Sequence, residues 1–138
     1  MNLSAMVTDN ITEILIRIVK FTQTRHKILI QNIINIRDPE FVPKELEVNE
    51  FSRLLNCAVD EHVQNQRLVL RDTKNIKFDT GGRLEVSPVV DELSKKLFEE
   101  NREKYLEQQM NKLWENSLNQ KLAAELLRQK QGTVLFDW

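Results

Sequence analysis

Apolar side chains recur at three- and four-residue steps between Thr8 and Ile36. Ile11, Ile14 or Leu15, Ile18 or Val19, Leu29 and Ile33 form one stripe, with Thr22 and Arg25 inside it. Positions so spaced share a face, so the pattern predicts an N-terminal core helix over residues 8–36. Thr8 or Asp9 is the expected cap, accepting a bond from a free backbone N–H. The isoleucines lower intrinsic helix propensity, so this helix needs burial against a partner. Roughly eight apolar side chains at about 1.5–3 kcal/mol each, if fully buried, call for a matching face.

Residues 37–89 read as a turn, a short helix and a possible hairpin. Pro39 and Pro43 bias Asp38 and Val42 toward extended backbone and stop the first helix, with Phe41 between them as an aromatic anchor. A second helix is expected from Asn49, its candidate cap, to about Gln64, with Phe51, Leu54, Leu55, Ala58 and Val59 on its apolar face. The period then changes. Leu68 and Leu70 alternate, as do Ile76 and Phe78, then Leu84 and Val86. Asp79-Thr80-Gly81-Gly82-Arg83 suits a hairpin turn, because glycine adopts positive φ without strain. An ordered-on-assembly loop is the alternative for this stretch.

Residues 90–131 form a C-terminal helical region. Its stripe runs through Leu93, Leu97, Leu106, Met110, Leu113, Ser117, Ala124 and Leu127, with Leu118, Leu122 and Leu126 as a neighbouring row. The spacing breaks between Glu99 and Glu103, which predicts either two helices or one helix with an exposed segment. Residues 132–138 are an apolar tail carrying Phe136 and Trp138, and such a tail is expected to dock. The fold class that follows is mainly α. Long N- and C-terminal helices pack as an antiparallel, coiled-coil-like core, with a shorter central helix and a loop or small hairpin. The whole of 1–138 is read as one subunit.

Composition narrows the function. Twenty Lys+Arg against twenty-one Asp+Glu give a net charge of -1, without the basic excess that a nucleic-acid footprint needs. One cysteine excludes an internal disulfide or a cysteine-based zinc cluster, and two histidines are few for a metal site. No cofactor is expected. The N-terminus lacks a charged segment before an apolar one, so no secretory signal is visible, and no run is long enough to span a membrane.

The chemistry-bearing residues stand apart from one another. His26 has Ile30, not a ligand, at i+4. His62 has Asp60 and Glu61 at spacings that do not face it. Cys57 has no positioned base and reads as a buried or boundary side chain. Glu99, Glu103 and Glu107 fall at i,i+4 but lack a Glu-x-x-His companion and read as solvated surface. Gly81-Gly82 has no phosphate-loop fingerprint. Lys20, Arg25 and Lys27 are diluted by nearby acids. Trp114, Phe136 and Trp138 read as seam or interface aromatics.

The segment Arg25, then Asn32-Ile33-Ile34-Asn35-Ile36-Arg37-Asp38-Pro39-Glu40-Phe41, resembles the N-terminal signature of the bacterial flagellar basal-body rod protein family, most closely its proximal-rod members. Arg25, Asn32, Ile33, Asn35 and Pro39 match. Ile34 replaces the family's alanine, Asp38 a threonine, Glu40 a glycine and Phe41 a tyrosine. Leu106, Met110, Glu115-Asn116-Ser117-Leu118 and Leu126-Leu127 resemble the family's terminal helix, with Asn119 and Gln120 where arginine and tyrosine are usual.

The resemblance implies an axial structural subunit with no catalytic activity. It would be exported by the flagellar type III apparatus without a cleaved signal peptide and assembled in the periplasmic rod. Its partners would be other rod subunits and adjacent basal-body components. Asn32, Asn35, Pro39 and Phe41 would fix the turn. Met110, Leu113, Trp114, Asn116, Leu118 and Leu127, with Phe136 and Trp138, would supply the opposing helix or its interfaces. A helical adaptor protein unrelated to the flagellum is the alternative.

Overall fold

The computed structural model describes the backbone of residues 3–136 and the side chains of residues 10–131. Helix α1 spans Leu3–Ile34. It begins before Thr8 and Asp9, which therefore lie within the helix and do not cap it. Nothing in the preceding segment, neither proline nor glycine, interrupts helical backbone. It also stops two residues earlier than Ile36. There the chain turns through bonds from Ile36 N–H to Ile33 O and from Asp38 N–H to Asn35 O. Asp38 Oδ1 then accepts from Glu40 N–H at 3.0 Å, an Asx-type turn stiffened by Pro39.

Strand β1, Lys44–Glu45, pairs antiparallel with β4, Val89–Val90. This ladder leaves no trace in the residue pattern, because two-residue strands are too short to alternate. Helix α2 covers Val48–Asn65 and starts one residue before Asn49. Glu47 is its cap, without a side-chain bond. The helix closes where Gln66 takes a left-handed φ of 55° and returns its N–H to His62 O.

Strands β2, Ile76–Phe78, and β3, Leu84–Val86, form the expected hairpin, with Ile76 opposite Val86. Its turn requires positive φ at Gly81 (72°) and Gly82 (76°). The turn docks on α1: Arg17 Nη2 donates to Asp79 O at 3.0 Å and Lys20 Nζ to Gly82 O at 2.7 Å. Arg17 is held in place by Glu13 one helical turn earlier.

Two helices complete the chain: α3, Glu92–Glu100, and α4, Arg102–Phe136. The break between them falls at extended Asn101, within the window of disturbed spacing. Asn101 Oδ1 accepts from Lys104 N–H at 3.1 Å and so starts α4.

The most extensive packing in the fold is between α1 and α4. They run antiparallel, since Asn32 meets Gln109 while Thr22 meets Asn116. The apolar core lies to the side of this pair, where α1, α2 and the hairpin meet around Phe21, Leu46, Phe51, Leu54 and Ile76. The Phe21 and Phe51 rings stack with centroids 3.9 Å apart, and Phe78 extends the stack at 6.2 Å. No helix among the described residues is long and apolar enough to cross a membrane.

Candidate functional site

The face that α4 turns to α1 differs from the apolar stripe expected of it. Tyr105, Gln109, Asn116 and Ala123 are the buried positions, at four- and seven-residue steps. Met110, Trp114, Leu118, Leu122 and Leu126 are exposed, as is Leu93 on α3. The polar positions win the seam because α1 supplies hydrogen-bond partners for each of them, so their burial leaves little unsatisfied. Leu106, Leu113 and Leu127 are half-buried at the margin of the seam.

Asn32 organises one end of this seam. It is 1% exposed, and its Nδ2 donates both to Lys44 O at 2.8 Å and to Gln109 Oε1 at 3.0 Å. Its Oδ1 accepts from Lys44 N–H at 3.2 Å, so one amide pins the last turn of α1 to β1 and α4 together. The Tyr105 hydroxyl donates to Asn32 O at 2.7 Å. Gln109 Nε2 continues to Ser94 Oγ at 3.0 Å, and that hydroxyl lies 2.6 Å from Asp91 Oδ2. Asp91 also caps α3 by accepting from Ser94 N–H.

Charges complete the network. Arg25, 6% exposed, makes a two-pronged bond to Glu45, from Nε at 3.1 Å and Nη2 at 3.0 Å. Lys112 Nζ sits 2.9 Å from Asp91 Oδ2 and 3.7 Å from Glu45 Oε2, bridging the two acids. Burial pushes the Asp91 carboxyl up, but bonds from the Ser94 hydroxyl, Lys112 and the Ser94 N–H outweigh it and hold the group below the usual carboxylate range. Burial, with the Asp91 charge adding and Arg102 opposing, pushes the Tyr105 phenol up to about 12. Further along, Asn116 Nδ2 donates to Thr22 O at 2.8 Å.

The other residues singled out in the turn lie outside the network. Asn35 bonds back to Gln31 O at 2.8 Å, and Pro39 is exposed. Phe41 is half-buried, 6.2 Å from the Phe98 ring, which in turn meets Tyr105 edge-on at 4.9 Å and carries the Arg102 guanidinium over its face. The side chain of Phe136 and all of Trp138 lie outside the described residues.

Of the reactive candidates, Cys57 is exposed, where a buried or boundary position was expected, because it faces outward from α2 beside Asn56. His26 is exposed on α1. His62 is buried against Asn10, whose Nδ2 lies 3.4 Å from its Nδ1. Among the described residues no group of three or more His, Cys, Asp or Glu is placed to hold a metal ion.

Sequence reasoning missed Glu45, Asp91, Ser94, Tyr105, Gln109 and Lys112. The available signal was the Tyr105-Gln109-Lys112-Asn116 series, which has seam spacing but polar chemistry. Comparison with family models, with curated proteins and with solved structures returns no match.

Proposed function

We propose that this chain is a structural subunit of a bacterial flagellar basal-body rod, built to transmit torque through packed terminal helices. The observation that supports the reading is the meeting of the two segments that resemble the rod family. Asn32 and Asn116 lie far apart in sequence, yet both are buried in one α1–α4 seam. The Asn32–Gln109–Ser94 network and the separate Asn116–Thr22 bond resist sliding of one helix past the other, since any shift leaves several buried donors and acceptors unpaired. Resistance to sliding is what an element under torsional load needs. The exposed α4 row leaves apolar surface for contacts between subunits.

Under this reading the chain carries no catalytic step. Its partners are other rod subunits and adjacent basal-body components in the periplasm, reached through the flagellar type III export apparatus. Deleting the gene tests it: basal bodies should lack an assembled rod, and the wild-type chain should restore it. Trp114→Glu should be exported yet fail to restore the rod. Intact rods in the deletion strain would overturn the reading and favour an adaptor outside the flagellum.

A further inference from the structure

The exposed row on α4 is a ridge at four-residue steps. Met110 is 50% exposed, Trp114 69%, Leu118 52%, Leu122 60% and Leu126 42%. It is centred on Leu118, with two members on either side. From the geometry of this ridge we infer that a second copy of the chain covers it, α4 crossing α4 over Leu118 about a two-fold axis.

Charge selects this occupant. Glu115 and Lys121 stand three residues before and after Leu118, on opposite flanks of the row. Both are exposed, and neither has an ion-pair partner among the described residues. A second α4 crossing at Leu118 sets Glu115 of each copy beside Lys121 of the other and closes two equivalent ion pairs. Ridges of i,i+4 residues on two helices interlock at a steep crossing, so the row is suited to pack against a copy of itself.

At a steep crossing the central residues make the contact: Trp114, Leu118 and Leu122 at these exposures offer roughly 350 Å² per copy and about 700 Å² for the pair, the size of a weak, reversible association. Such a contact is isologous and closed, with each copy giving the same patch. It goes beyond the rod reading: growth of a rod uses head-to-tail contacts and a closed pair does not propagate, so the pair is the form of the free chain and must open before the same row meets neighbours in a rod.

Sedimentation equilibrium of the full chain in a Cys57→Ser background tests the pairing. The expected result is a monomer–dimer equilibrium in the micromolar range. Leu118→Glu should raise Kd at least about tenfold, while the exposed position leaves helix content unchanged, and the melting midpoint too at concentrations where the parent is monomeric. Glu115→Lys and Lys121→Glu should each weaken the dimer by about three- to tenfold, and the double variant should return to within about twofold of the parent. Leu118→Cys should oxidise to a linked dimer, whereas Asn56→Cys on α2 should not.

A monomer at all concentrations overturns the inference, as does a dimer indifferent to Leu118→Glu. A double charge swap that stays as weak as the single changes overturns it, because Glu115 of one copy then does not face Lys121 of the other. A chain that stays monomeric but sediments with phosphatidylcholine vesicles overturns it in favour of a lipid surface.

Discussion

Replacing Asn32 with alanine removes the amide that joins three elements. The substitution leaves Lys44 N–H, Lys44 O and Gln109 Oε1 without the partners they have at 3.2, 2.8 and 3.0 Å. Gln109 Oε1 is buried and orphaning it costs about 1–3 kcal/mol, whereas Lys44 is exposed and water takes over part of the loss at its two groups, so the expected total is about 2–3 kcal/mol. Urea unfolding followed by far-ultraviolet circular dichroism reads this. With a slope of about 2 kcal/mol per molar urea, the midpoint should fall by about 1–1.5 M. Gln109→Ala should cost less, because it breaks one bond to Asn32 and one to Ser94. The double variant should fall short of the sum by about 1 kcal/mol. A midpoint shift under about 0.5 M for Asn32→Ala, or full additivity with Gln109→Ala, would refute the cooperative seam.

Tyr105→Phe should cost about 1–2 kcal/mol at neutral pH through the lost bond to Asn32 O. The phenol, with its folded pKa raised to about 12 from an ordinary 10.0, favours folding fully below pH 10. That contribution is lost as pH rises toward 12, so wild-type stability should fall more steeply there than that of Tyr105→Phe. Alkaline absorbance titration of the single tyrosine checks the pKa directly. Asp91, with its pKa lowered, contributes stability above the unfolded value of 3.8 that is lost as pH falls through the folded one. Asp91→Asn should therefore flatten the acid limb of a stability–pH curve measured by thermal melting. Gly82→Ala should destabilise by about 1–2 kcal/mol in urea titrations, as an L-residue at a φ of 76° is strained and its Cβ would sit 3.4 Å from Ile16 Cγ2.

Local signals carried most of the architecture. Gly81-Gly82 between alternating pairs marked the hairpin turn, and disturbed spacing near Glu99–Glu103 marked the break at Asn101. Helix starts were less legible. Thr8, Asp9 and Asn49 are good capping residues, yet each lies inside a helix, because flanking residues with no helix-breaking chemistry extend it. The α4 face was the largest misreading. An apolar stripe predicts burial only when its partner face is apolar, and here α1 offers Asn32 and the Thr22 carbonyl along its seam. Tertiary hydrogen bonding thus rotated the buried face of a helix whose leucines surround much of its circumference, leaving Leu106, Leu113 and Leu127 at its margin and the Leu118 row outside. The Arg25–Glu45 and Lys112–Asp91 pairs were invisible for a related reason: their partners come from loops and two-residue strands placed only by the fold.

The central claim is that α1 and α4 form a polar-locked helical pair that serves as an axial building block. Electron microscopy of purified flagellar basal bodies tests it most directly. The account predicts rod density that fits the antiparallel α1–α4 pair, with Asn32 and Gln109 facing each other inside one subunit. A resolved rod that contains no density for this chain would contradict it.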